Sequence, residues 1–332
     1  MTALARDVAG RPDLRSTLRR PGDALPAASI GTVPILWNNV DLADLRHGTD
    51  AVTILDEIAR TGYEGTQLGI GFPEGEALHA ALAARGLRLA EVYLSIPATV
   101  DGPTSDAMAI GRERVRLLRD GGGDMLVIAL DISPQRDVCA GRANEPGTPR
   151  MTDAGWAAVL ETVHSLATEV VAAGRRAAFH PHCGTFIETP AEVDRLVDGL
   201  DPSVIGICLD VGHYTVGGGD PVAALRDFGD RVTHIHLKDV DPVVLDRLRA
   251  GSIPGQNAAI RARLFTELGA GGVDLDGLLA VAAARDYDGW LMVEQDSTWG
   301  PPSESAAIGR RVLTAALRNL GTGTRGASEE GR

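Results

Sequence analysis

The stretch VIGICLDVGHYTVGGGDPVAALRDFGDRVTHIHLKD (204–239) decides the fold. It opens on a short apolar, β-branched run that ends at Asp210. Gly217–Gly219 then form a turn, and Asp220 supplies an oxygen to open a helix. A second run, VTHIHLK (232–238), closes the stretch. A strand, a helix and a strand make one βαβ unit, whose two strands must be parallel. Within the second strand the alternation is strict. His234, His236 and Lys238 share one face, and Ile235 and Leu237 share the other.

The same texture repeats outward in both directions. Strands are predicted at 32–38, 65–69, 87–95, 124–130, 176–182, 204–210, 232–238 and 290–296. Amphipathic stretches lie between them, as at 51–60, 107–120, 156–174, 191–200 and 304–320, and Gly62, Gly86, Gly121 and Gly174 mark helix ends. Eight alternations predict an α/β fold, a closed (β/α)8 TIM barrel. The competing open, doubly wound sheet usually carries G-x-G-x-x-G after its first strand, and none follows 32–38. Residues 1–28 read as a partly disordered extension, 29–319 as the barrel, and 320–332 as a disordered tail. The long connection after the seventh strand, about 240–272, is expected to hold a short helix at 241–250.

Composition narrows the function. The formal charge of −13 argues against nucleic acid and against a polybasic membrane contact. No apolar run approaches the ~18 residues of a spanning helix, and the N-terminus lacks the apolar core of a secretory signal. Cys139, Cys183 and Cys208 have no metal-type spacing and read as reduced thiols of a cytoplasmic protein. The expected partner is a small molecule; a homo-oligomer stays open.

In a barrel of this type chemistry gathers at the C-terminal ends of the strands. Polar groups fall there: Trp37–Asn38, Gln67, Glu91 and Tyr93, Asp131, His180 and His182, Asp210 and His213, His236 and Lys238, and Glu294–Asp296. Five of the eight histidines lie between 180 and 236. Imidazoles and carboxylates converging without thiolates suit a divalent cation: Mn²⁺, Mg²⁺, Co²⁺, Zn²⁺ or Fe²⁺. Asp210, His236 and Glu294 are the expected ligands, with a further ligand from the fifth strand, His180 or Glu188. His234 lies one pleat deeper and is expected to support the site.

These motifs resemble those of the xylose-isomerase-like TIM-barrel superfamily of sugar isomerases and epimerases, and most of all inosose (2-keto-myo-inositol) dehydratases. The carrying stretches include GYEGTQLGIGFP, FHPHCGTFIETPAEVDRL, GICLDVGHYTVGGGDP, RVTHIHLKDV and LMVEQD, spanning about 31–318. The resemblance implies a divalent metal, Mn²⁺ foremost or Co²⁺, held by Asp210, His236, Glu294 and, at the position of the dehydratases' GTxIQ, Glu188. It departs at Gln67, where the dehydratases have a glutamate, and at LGAGGVD (268–274).

The chemistry common to such enzymes is proton abstraction next to a carbonyl. His182 is the expected base, titrating near neutrality, and Lys238 the expected oxyanion stabiliser or proton donor, its pKa held down by the metal. Trp37 and Asn38 are expected to form a platform for the sugar ring, with Tyr93, His180 and His213 as further substrate contacts. Three functions compete: a lyase acting on a keto-inositol or related keto-sugar, including 3-keto-glycosides; an isomerase or epimerase using the same enolate; and a non-catalytic sugar binder. His180 in place of the usual fifth-strand acid weighs against the second, and the metal set with Lys238 against the third.

Overall fold

The computed structural model describes residues 24–329, with side chains through Thr322. Eight parallel strands close into a barrel: β1 (Ser29–Thr32), β2 (Gly65–Gln67), β3 (Arg88–Ile96), β4 (Met125–Leu130), β5 (Arg176–Phe179), β6 (Gly206–Asp210), β7 (Val232–Leu237) and β8 (Trp290–Val293). Each pairs with its sequence neighbours, and β1 closes the ring by pairing with β8, Ser29 opposite Trp290 and Thr32 opposite Val293.

Around it run α1 (Ala51–Thr61), α2 (Gly75–Ala83), α3 (Ala107–Asp120), α4 (Asp153–Ala172), α5 (Pro190–Gly199), α6 (Pro221–Phe228), α7 (Leu275–Ala284) and α8 (Pro302–Glu329). Their starts follow side-chain chemistry. Asp50, Thr152, Asp220 and Asp274 each accept from a backbone N–H of the first turn, and Thr189 with Glu192 forms a reciprocal capping box on α5. Each such cap is worth about 1 kcal/mol. No described helix is long and apolar enough to cross a membrane.

The main core fills the layer between strands and helices, with Ile235 and Leu237 of β7 in it. The barrel interior is plugged from below by Trp290, Met292 and Ala90, and higher up by Met125, Val127, Ala178 and Cys208.

Two irregularities aim the interior. Along the β2–β3 ladder Thr66 pairs with Leu89 but Gln67 with Glu91, so Ala90 is an extra residue. Along β6–β7, Ile207 pairs with Val232 but Cys208 with His234, so Thr233 is extra. An extra residue flips the parity of the strand beyond it. Leu89 and Val232 therefore belong to the outer layer, while Glu91 and His234 turn inward.

The eight strands occur in the predicted order, with different limits. The first strand is Ser29–Thr32, and the rest of 32–38 leaves the sheet, with Pro34–Leu36 in a 3₁₀ turn, because Pro34 has no N–H for a ladder. The strands before His180 and Glu294 end at Phe179 and Val293, which leaves those side chains on the loops just above the barrel. Residues 24–28, read as extension, join the fold: Leu25 is buried and the Ala24 N–H donates to the Leu317 carbonyl. The first 23 residues of the extension lie outside the described residues. The predicted tail is helical as far as Glu329, because α8 continues through Leu320 without a break; residues 330–332 lie outside the described residues. The β7–β8 connection holds the expected helix, Pro242–Arg249, and a second, Gln256–Arg261. Asp239 organises this loop: its carboxylate accepts from the N–H groups of Val240, Gly269, Gly271 and Val273.

Candidate active site

Glu91 lies wholly buried on the barrel axis. Its Oε2 accepts from His234 Nε2 and, at 3.0 Å, from His236 Nε2. Burial pushes the carboxyl toward its acid form, but His236 and His234 pull it far below the ordinary carboxylate range. A carboxylate is acceptor-only, so both Nε2 atoms donate to Glu91; His236 Nδ1 points upward at Glu294 Oε2, to which it donates a second proton or, on losing it, offers a lone pair to a cation.

Above it four donors converge. One ligand atom each from His180, Asp210, His236 and Glu294 lie within 4.8 Å of one another, and all four residues are buried. His236 Nδ1 is 2.6 Å from Glu294 Oε2 and 3.8 Å from Asp210 Oδ2, and His180 Nε2 is 3.4 Å from Asp210 Oδ2. Asp210 Oδ2 and both ring nitrogens of His180 are buried without a hydrogen-bond partner. Orphaned buried polar atoms are costly, and a cation here would take Asp210 Oδ2 and one of the two His180 nitrogens. Two carboxylates with two imidazoles fit a divalent metal of the Mn²⁺ to Zn²⁺ series.

Three of the expected donors are brought together, and the fourth member of the cluster is His180. Glu188 does not join the set. Its Oε1 accepts from the Gly141 N–H at 2.8 Å and its Oε2 from the Gly184 N–H at 2.7 Å, so its carboxyl ties two loops instead. Burial raises its pKa to about 7.

Lys238 is almost wholly buried, with Nζ 2.7 Å from Asp296 Oδ1, 3.3 Å from Glu294 Oε1 and 3.5 Å from Asp210 Oδ2. Burial opposes its charge, but Asp210, Asp296 and Glu294 together hold its pKa well above the ordinary lysine range. The ammonium also donates to His213 Nε2 at 2.8 Å. His213 is thus the Nδ1–H tautomer, and it donates on to Cys183 Sγ at 2.9 Å. His213, buried against Lys238 and Cys183, orients the lysine and, unlike the other expected substrate contacts His180 and Tyr93, does not line the cavity above the site.

A cavity of about 490 Å³ opens above this floor, lined at its base by His180, His182, Lys238, Glu294 and Asp296. Tyr93 also lines it, set edge-on to His180 with 5.7 Å between ring centroids. His182 donates from Nδ1 to the Cys183 carbonyl at 2.7 Å, leaving Nε2 unprotonated. Burial, His180 and Lys238 lower its pKa to about 3, so it is neutral across the physiological range and does not titrate near neutrality as expected.

Trp37 is no platform. It is fully buried in the outer core and donates Nε1–H to Glu57 of α1 at 2.5 Å, because the turn at Pro34 directs it toward that helix. Asn38 lines the cavity but also braces it: Oδ1 accepts from Gly48 and Thr49 N–H groups, and Nδ2 donates to the Thr49 carbonyl. Glu91 and Asp296 are the groups to which sequence reasoning gave no role. For Glu91 the signal was a carboxylate inside an otherwise apolar run.

A profile of the xylose isomerase-like TIM barrel family matches residues 46–316. The chain belongs to this family. Among relatives of this family member, inosose dehydratase of Geobacillus kaustophilus is 30% identical over 295 residues, covering 88% of this chain and 95% of its own. A rhizopine catabolism protein of Rhizobium meliloti is 33% identical over 294 residues, 88% of this chain and 89% of its own. The solved structure of an L-ribulose 3-epimerase matches with a TM-score of 0.67 at 16% identity, over 91% of this chain and 98% of that one. That likeness is one of fold.

Proposed function

We propose that the protein is a divalent-metal-dependent carbon–oxygen lyase acting on a keto-polyol or keto-sugar, with an inosose-type ring as substrate. The observation that carries this reading is the pairing of a four-donor set, His180, Asp210, His236 and Glu294, with a buried, charged lysine beside it. Relatives named inosose dehydratase, spanning nearly the whole chain, support it.

His180, Asp210, His236 and Glu294 would hold the metal, Mn²⁺ foremost, which supplies Lewis acidity toward a substrate oxygen. The remaining work falls to the chain's own groups. His182 offers an unprotonated Nε2 in the cavity and takes the proton from the carbon next to the carbonyl. Lys238, kept charged by its three carboxylates, gives a proton to the departing hydroxyl, which leaves as water as the carbon–carbon double bond forms. Glu91 fixes the tautomer of His236, and His213 holds Lys238 in place. A cytoplasmic setting, with Cys183 and Cys208 as buried free thiols, belongs to the same proposal.

The test is incubation of Mn²⁺-supplied protein with 2-keto-myo-inositol, read by mass and NMR. Loss of one water per substrate is expected. Isomerisation without loss of mass, or no reaction, overturns the reading.

A further inference from the structure

A second group of ligating side chains lies beside the four-donor set and shares no residue with it. One ligand atom each from His182, Cys183 and His213 lie within 4.8 Å of one another. His182 and Cys183 are neighbours on the loop after β5, and His213 comes from the short helix Val211–Val216 after β6. Cys183 Sγ is 2.9 Å from His213 Nδ1, and the two imidazole rings lie 3.6 Å apart, centroid to centroid. Cys183, a free thiol, and His213 are buried; of the three, only His182 lines the cavity, so it is the member that a solute meets first. The chemistry differs from that of the neighbouring set. Two carboxylates make the four-donor set suit a harder ion, whereas a thiolate with two imidazoles suits a softer one. Three such ligands with one position left for water are a Zn²⁺ arrangement.

We infer that His182, Cys183 and His213 form a second cation site, selective for a thiophilic divalent ion such as Zn²⁺, whose occupation inhibits the reaction. The thiol gives up its proton to solvent as Sγ binds the ion. His213 Nδ1 binds only after its proton moves to Nε2. Nε2 then no longer accepts from Lys238, and the ammonium loses the imidazole that orients it. Lys238 keeps Asp210, Glu294 and Asp296, whose charges also offset the approach of a second cation. His182 binds through Nε2, the nitrogen that carries no proton, because Nδ1 donates to the Cys183 carbonyl. One ion thus releases one proton and takes up both the free nitrogen of His182 and the support of Lys238. The inhibition rests on the roles given to those two residues in the lyase reading; the coordination does not.

The experiment is titration of the Mn²⁺-supplied protein with Cd²⁺, a thiophilic probe whose bond to a thiolate absorbs in the ultraviolet. The band should saturate at about one equivalent, with about one proton released and the bound Mn²⁺ retained. Cys183→Ser should lose the band, and Cys139→Ser and Cys208→Ser should keep it. His182→Asn, at the cavity-lining position, should keep the band but bind Cd²⁺ at least about tenfold more weakly, the least that losing a ligand's outer partner costs. No band in the wild type, a band that survives Cys183→Ser, Mn²⁺ released in step with Cd²⁺ uptake, or wild-type Cd²⁺ affinity in His182→Asn overturns the inference. The band is read without substrate, so failure of the lyase reading leaves it untouched. Where 2-keto-myo-inositol is turned over, the rate should fall as the band grows; a full band with an unchanged rate overturns the inhibitory role.

Discussion

Replacing Glu91 with glutamine separates support of the site from the site itself. The carboxylate accepts two imidazole N–H donors, His234 Nε2 and His236 Nε2, where no solvent reaches. A glutamine of the same shape has one acceptor oxygen, so one of the two N–H groups faces an amide NH₂ or nothing. Losing a charge-assisted hydrogen bond costs about 1.5–3 kcal/mol, and a stranded donor adds about 1–3 kcal/mol. We expect Glu91→Gln to lose about 2–5 kcal/mol of stability by urea denaturation, the overlap of the two terms keeping the total below their sum. The second consequence is functional. Without its anionic partner, His236 is free to carry its proton on Nδ1, the atom that faces Glu294 and Asp210. Loss of a partner that orients a liganding histidine typically weakens metal binding about 10–100-fold. Titration of the purified variant with Mn²⁺ should show a loss in that range. Unchanged Mn²⁺ affinity alongside the stability loss would refute the tautomer argument and leave Glu91 as core packing alone.

Lys238→Met should keep the metal, or bind it more tightly, since it removes a like charge from beside the ligands. Turnover should fall by about 10²-fold or more, as for loss of a proton donor; steady-state rates near wild type would remove Lys238 from the reaction. Glu188→Gln bears on pH. Its folded pKa of about 7 lies above the ordinary 4.5, so the folded state holds the proton longer than the unfolded chain. Stability from this group is therefore fully present below pH 4.5 and is lost as pH rises to about 7. Relative to wild type, the glutamine variant should gain about 3 kcal/mol between those limits, and no change above them, in denaturation series at stepped pH. A difference flat across that window would contradict the burial of an ionisable Glu188.

Much of this fold was legible because local rules were obeyed. Helix caps, turn glycines and the outward face of β7 all agreed with the global architecture. The alternation in HIHLKD placed His234, His236 and Lys238 correctly on the inner face. What escaped reading depended on residues distant in sequence. Trp37 sits next to the site in the chain but turns toward α1, because a proline ends the strand five residues earlier than its apolar run suggests. Glu188 has the right chemistry, but two loop N–H groups from residues 141 and 184 claim its oxygens. Glu91 reaches the axis only through the extra residue at Ala90, which no two-residue period reveals. The low pKa of His182 comes from burial and two neighbouring cationic or imidazole groups, again a tertiary effect.

The identity of the four ligands is the claim on which the rest stands. Elemental analysis of protein purified with Mn²⁺ present, compared across His180→Ala, Asp210→Asn, Glu294→Gln and Glu188→Gln, tests it most directly. One equivalent of metal in the wild type and in Glu188→Gln, with loss in the other three variants, is the predicted result. Metal retained in His180→Ala and lost in Glu188→Gln would contradict it, and would return the fourth position to the carboxylate.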